Sequence, residues 1–169
     1  MLQLEHGIPV DEKWHIVEDD APLPENDRIL VTPERLTPEL LSRNSGKVGV
    51  YISPDTDVKV LEPFLEHLPV IALNIPNFKD GRAFTQARAL KEHLRYNGKI
   101  LLTGRTLPDH YDFMLRCGID SVVISDDRDL PSWKAAYERY KIAYQKSILK
   151  EPHEWGMRRK ISFRNPSDP

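Results

Sequence analysis

The segment Asn74-Ile75-Pro76-Asn77-Phe78-Lys79-Asp80-Gly81-Arg82 combines residue types that hold an oxyanion. Pro76 fixes its own φ, and Asp80-Gly81 is a tight turn placed just before a strong helical pattern. The first N–H groups of a helix, with Arg82 and with Arg105 on another loop, would attract sulfate, sulfite or phosphate. Gly81 lets the backbone come close, and Gly104-Arg105 offers a second glycine–arginine pair after a strand. Asp80 itself suits an N-cap or the orientation of an arginine better than contact with an anion, because like charges repel. The plainer alternative is an ordinary capped helix with Arg82 as a solvated first-turn residue. No residue here names a reaction, so whether the chain is an enzyme stays open.

Other constellations carry less chemistry. His67, His93 and His110 fall on three separate helical patterns without metal-ligand spacing. No metal site is expected. Cys117, in Arg116-Cys117-Gly118, lies at a helix C-terminus, where the dipole raises a thiol pKa. Asp109 after Pro108 reads as a first-turn charge. No GxGxxG after a strand and no P-loop is visible, so no nucleotide fingerprint is present.

These residues need elements to place them. Near-continuous apolar runs at Ile29–Val31, Val48–Ile52, Val70–Ile75, Ile100–Thr103 and Ser121–Ile124 predict strands buried on both faces. Between them lie helical patterns over about 37–46, 57–68, 82–97, 108–117 and 131–146. Pro63 is an awkward interior residue in the second. In the third, Phe84, Ala87, Leu90 and Leu94 share one face. Trp133, Ala136, Tyr137, Tyr140 and Tyr144 form the apolar side of the last.

The alternation predicts an α/β fold with a mostly parallel, open sheet of about five strands and helices on both faces. A partial βα-barrel-like arrangement is the alternative. Residues 1–27 read as an irregular segment, apart from a short strand near Trp14–Val17. Residues 28–148 read as a single α/β domain and 149–169 as a C-terminal arm. In a parallel sheet, ligands bind beyond the carboxyl ends of the strands. That rule gathers the loops after the third, fourth and fifth strands onto one edge.

Composition narrows the function classes. The chain has 169 residues, 24 Lys plus Arg against 26 Asp plus Glu, and a net charge of -2. That balance removes the electrostatic case for nucleic-acid or anionic-membrane binding. The single cysteine excludes an intramolecular disulfide framework. With no visible signal segment and no apolar run approaching roughly 18 residues, a soluble cytoplasmic protein is expected.

The stretch Ile71–Leu90, then Leu107-Pro108-Asp109-His110 and Leu115-Arg116-Cys117-Gly118-Ile119-Asp120, resembles a bacterial family known as domain of unknown function nine-three-four. The resemblance covers roughly residues 45 to 145. Asp80, Gly81, Arg82, Arg116 and Cys117 match the family pattern, as do Pro76 and Asp109. The chain departs from it at Ile75, at His110, and in Ile100-Leu101-Leu102, where the family usually carries Phe, Gln and an Arg. Some members carry an oxidoreductase label, and their genes commonly sit beside assimilatory sulfite reductase. The resemblance therefore implies an accessory or oxyanion-binding protein of sulfite reduction and sulfur assimilation, with sulfite reductase as partner. A small enzyme acting on a phosphorylated or sulfur-bearing metabolite is the alternative.

Overall fold

A computed structural model of the chain describes residues 2–24, 27–139 and 147–148. The arm expected over 149–169 lies outside them, as do Tyr140 and Tyr144. All five expected strands are present: β4 (Ile29–Val31), β5 (Val48–Ile52), β6 (Val70–Ile75), β7 (Lys99–Gly104) and β8 (Ser121–Ile124). They pair in parallel in chain order.

The short strand expected near Trp14–Val17 is present as β3 (His15–Ile16), and residues 1–27, otherwise read as irregular, contribute two more: β1 (Leu2–Glu5) and β2 (Ile8–Val10). β1 runs antiparallel to β8 and β2, while β3 is parallel to β4. A two-residue turn joins β1 to β2, with His6 at φ 48° and Gly7 at φ 77°, the left-handed pair that matches strand twist in a tight hairpin. The sheet has eight strands in the order β2-β1-β8-β7-β6-β5-β4-β3.

That order forces a curl. β2 and β3 are the two outermost strands, yet Val10 and His15 are only five Cα steps apart. Five steps reach at most about 19 Å. Eight flat strands at about 4.8 Å spacing would span roughly 34 Å. The sheet is therefore bent into a half-barrel, with the connection from Asp11 to Trp14 strapped between its edges. Ion pairs fix where the strap runs. Lys99, the first residue of β7, pairs with both Glu5 and Glu12, and Glu12 also accepts from Arg28, just before β4. The strap thus passes the amino ends of the strands.

Helices on both faces were expected; they lie on one. Between β4 and β8 the strand order never reverses, so right-handed crossovers all turn the same way. Residues alternate accordingly. Ile29, Val31, Val50, Ile52, Ile71, Leu73, Ile100 and Leu102 pack in one core with Leu41, Leu61, Ala87, Leu90, Met114 and Trp133 from the helical segments. The opposite face carries a separate small cluster, Leu30, Val70, Ala72 and Leu101, against which Trp14, Tyr51 and Val123 pack.

The helical layer contains α1 (Pro38–Arg43), α2 (Arg82–Arg88), α3 (Tyr111–Arg116) and α4 (Leu130–Arg139). Thr37 caps α1, its side chain accepting from the Leu40 N–H at 3.2 Å. Val58–His67 winds as 3-10 turns rather than an α-helix. Pro63 has no N–H and would meet the carbonyl four residues back in an α-helix. α2 passes into a π turn over Ala89–His93, and the chain leaves it with Arg95 at φ 53°. Of the expected stripe, Ala87 and Leu90 are buried and Phe84 and Leu94 only half-buried, while Ala83 joins the buried face. Gly118, at φ 92°, ends the α3 segment. Among the described residues, no helix is long and apolar enough to cross a membrane.

Candidate functional site

The loops after β6 and β7 do meet. The Arg105 N–H donates to the Ile75 carbonyl at 2.7 Å, and Gly104, at φ 96°, sits against that carbonyl and 2.7 Å (from an ideal Cβ) from Asn74 Oδ1. A side chain at Gly104 would collide with both, so the close approach depends on glycine.

The expected oxyanion residues are not equivalent. Asp80 Oδ1 accepts from the Arg82 N–H at 3.2 Å and from Arg82 Nε at 2.9 Å, while Oδ2 takes Arg82 Nη2 at 2.7 Å. Arg82 Nη1 reaches Asp55, before the 3-10 segment. Gly81 occupies the N-cap position of α2, a helix of seven residues, and no side chain caps it. Arg82 is therefore held by two carboxylates. The guanidinium keeps the Asp80 carboxyl below the usual carboxylate range, and the two carboxylates raise the Arg82 pKa. The same device recurs after β8. Asp126 accepts from the Arg128 N–H at 2.9 Å and binds its guanidinium at 2.6 Å, which lowers the Asp126 pKa. Arg105 is exposed and makes no ion pair among the described residues.

The family-motif positions are scattered. Pro76 is exposed on the β6–α2 loop. Asp109 is exposed and accepts from Arg139 at 3.3 Å. Arg116 ends α3, and its carbonyl accepts from the Ile148 N–H at 3.2 Å. Cys117 is buried, and burial pushes its thiol pKa up. It lies at the base of a shallow groove of about 530 Å³ on the helical side. Phe84 and Phe113 stack edge to face there, 5.0 Å apart, and Arg88 pairs with Glu92 at 2.7 Å. The fold does not bring this groove together with the Gly104–Arg105 loop; they occupy different layers.

The larger concavity is the inside of the half-barrel, a cup of about 940 Å³. Leu30, Tyr51 and Leu101 line its wall and Trp14 its strap. Asn74, Thr103, Gly104 and Ser125 line it at the carboxyl ends of β6, β7 and β8. Asn74 stands opposite Thr103 across the β6–β7 pair. The Thr103 hydroxyl donates to the Leu73 carbonyl at 3.1 Å, leaving its oxygen as an acceptor. Gly49 lets Val70 and Leu30 pack closely over β5, since an ideal Cβ there would stand 2.7 Å from the Val70 carbonyl oxygen and 2.9 Å from Leu30 Cδ2, and Ala72 is buried on the same side of the sheet between Tyr51 and Leu101. Sequence reasoning gathered the edge loops, with Asn74 and Thr103 in them, but missed Tyr51 and Trp14 as cup residues. The signal for Tyr51 was an aromatic hydroxyl inside an otherwise aliphatic strand.

Among curated proteins no match is found. Residues 49–155 match a family described as bacterial protein of unknown function (DUF934). That span runs from β5 through the cup's carboxyl-edge loops to beyond α4, and the chain belongs to this family.

Proposed function

We propose that the protein is an accessory, oxyanion-binding protein of sulfur assimilation, working beside assimilatory sulfite reductase, and that it meets its ligand at the carboxyl edge of β6, β7 and β8. The observation that carries this reading is the make-up of that edge. Asn74 and Ser125 offer neutral donors, Thr103 has its hydroxyl proton committed to Leu73, and Arg105, next to the lining residue Gly104, is a cation that pairs with no carboxylate among the described residues. None of the three polar side chains is an acid or base near neutral pH, so the edge is built to bind rather than to move protons. Arg82, with two carboxylates already on it, is a poor further anion partner. The link to sulfur rests on the family's gene neighbourhood.

The test is calorimetric titration of sulfite, sulfate and phosphate into wild type, Arg82→Ala and Arg105→Ala, with capture of purified sulfite reductase in parallel. Saturable anion binding that Arg105→Ala weakens and Arg82→Ala spares is expected, together with retention of the reductase. Wild type that binds none of the three anions ends the oxyanion reading. A reductase that passes through unretained ends the partnership.

A further inference from the structure

We infer that the cup takes an organic oxyanion, a sulfonated, sulfated or phosphorylated molecule with a flat apolar body, rather than a free inorganic ion. This rests on the oxyanion reading of the rim and names its substrate class. Volume is the first reason. The cup measures about 940 Å³, inside the roughly 300–1,000 Å³ typical of small-molecule sites. Sulfite or phosphate is little larger than about two waters, at ~30 Å³ of liquid each, and would leave nearly all of it unfilled.

The distribution of chemistry is the second reason. The aliphatic side chains lining the cup, Leu30 and Leu101, belong to one cluster with the buried Val70 and Ala72. Trp14 and Tyr51 pack against that cluster while remaining partly exposed, so each presents aromatic surface beside the space. Aromatic and aliphatic walls with a few placed polar groups select a mostly apolar ligand body. The charges at the amino end are spent on one another, Glu12 on Lys99 and Arg28. Asn74 and Ser125 line the other end, and Arg105 directly follows Gly104, which lines it as well. A ligand matching this gradient has an apolar body inward and an anionic head outward.

Two fluorescent probes separate body from head in the full-length protein. Anilinonaphthalene sulfonate carries a flat body and an oxyanion, N-phenylnaphthylamine carries the body alone, and inorganic sulfate supplies the head alone. Saturable, one-site binding of the sulfonate is expected, about tenfold or more tighter than the uncharged probe, the worth of one charge-assisted hydrogen bond. Ala72→Leu should abolish binding of both probes. Arg105→Ala should reduce the sulfonate to the level of the uncharged probe. Phe113→Ser, in the groove on the helical side, should change neither. Because Ala72→Leu alters a buried site, Thr103→Phe at the mouth provides a second block if that variant does not give a native melt. Probe binding that survives both blocks, or that Phe113→Ser removes, overturns the cup. Equal affinity for the two probes removes the oxyanion head while leaving an apolar site. Sulfate binding without either probe removes the organic body while leaving the oxyanion reading intact.

Discussion

Asp80 and Arg82 show how a short motif can satisfy itself. The spacing Asp-x-Arg lets the carboxylate take both the arginine N–H and its guanidinium, and the chain uses it again at Asp126 and Arg128. The Asp80 carboxyl should therefore titrate below the ordinary ~3.9 of an aspartate, and Arg82→Ala should return it to that range. The sign follows from the depressed value. Whatever Asp80 contributes to stability is present above the ordinary carboxylate pKa and lost as pH falls through the lowered one. A carboxyl-carbon titration of both proteins by NMR checks this, and an unchanged midpoint in Arg82→Ala would place the cause elsewhere. Gly49 is a second residue-scale case. Gly49→Ala forces a methyl against the Val70 backbone and should cost about 1–3 kcal/mol in denaturant unfolding. A neutral result would mean that the curl yields there.

At the scale of elements, β4 to β8 were legible because each is a strong aliphatic run set between helical patterns and turn residues. Their period-two alternation was hidden by burial on both faces. Leu30, Val70, Ala72 and Leu101 are covered by the curl and the strap, as fully as Ile71 and Leu73 are by helices. That is why the runs read as continuous. The side on which helices pack was not legible, since it follows from strand order, and periodicity within a strand says nothing about its neighbours. β1 and β2 were missed, and β3 was legible only as a short strand near Trp14–Val17, for a different reason. They are two to four residues long, include Gln3 and Pro9, and owe their pairing to β8 and β4 rather than to local pattern. At the candidate site, the meeting of the Gly104 and Ile75 loops follows from adjacent parallel strands, whereas the Asp55 contact to Arg82 comes from a loop that no motif flagged. If β1 is integral, Leu4→Ala should destabilise like any core truncation, by about 2–5 kcal/mol, because Leu4 is fully buried against the helical layer. A loss below about 1 kcal/mol would show a strand that peels away without consequence.

At the scale of the whole molecule, the half-barrel is closed at its base by charge and held on its helical side by buried phenols. Lys99 pins the strap through Glu5 and Glu12, an arrangement that raises its own pKa. Lys99→Ala should quicken amide exchange at the strand-paired His15 and Val17 more than in β6. Uniform exchange across both regions would show that the strap holds without it.

Alkaline pH probes the helical side. Tyr111, fully buried, accepts from the Gly7 N–H at 2.9 Å and stands edge-on to Trp133 at 5.2 Å, and burial pushes its pKa up to about 12. Tyr96 donates to the Leu68 carbonyl at 3.0 Å, and burial raises its pKa as well. Both phenols must be neutral to stay where they are, since ionisation would bury a charge and, at Tyr96, remove the donor. Their folded pKa values lie above the unfolded value of about 10, so their contribution is complete below about pH 10 and lost as pH rises through the raised values. Melting temperature should therefore fall steeply between about pH 10 and 12. The phenolate absorbance of the six tyrosines should show some groups titrating only as helical circular dichroism disappears. Tyr96→Phe keeps the ring and removes the ionisation, so at neutral pH it should cost only about one hydrogen bond, 0.5–1.5 kcal/mol, while flattening the alkaline decline. Six phenols ionising together near pH 10 in a protein with native dichroism would mean that neither ring is buried as described.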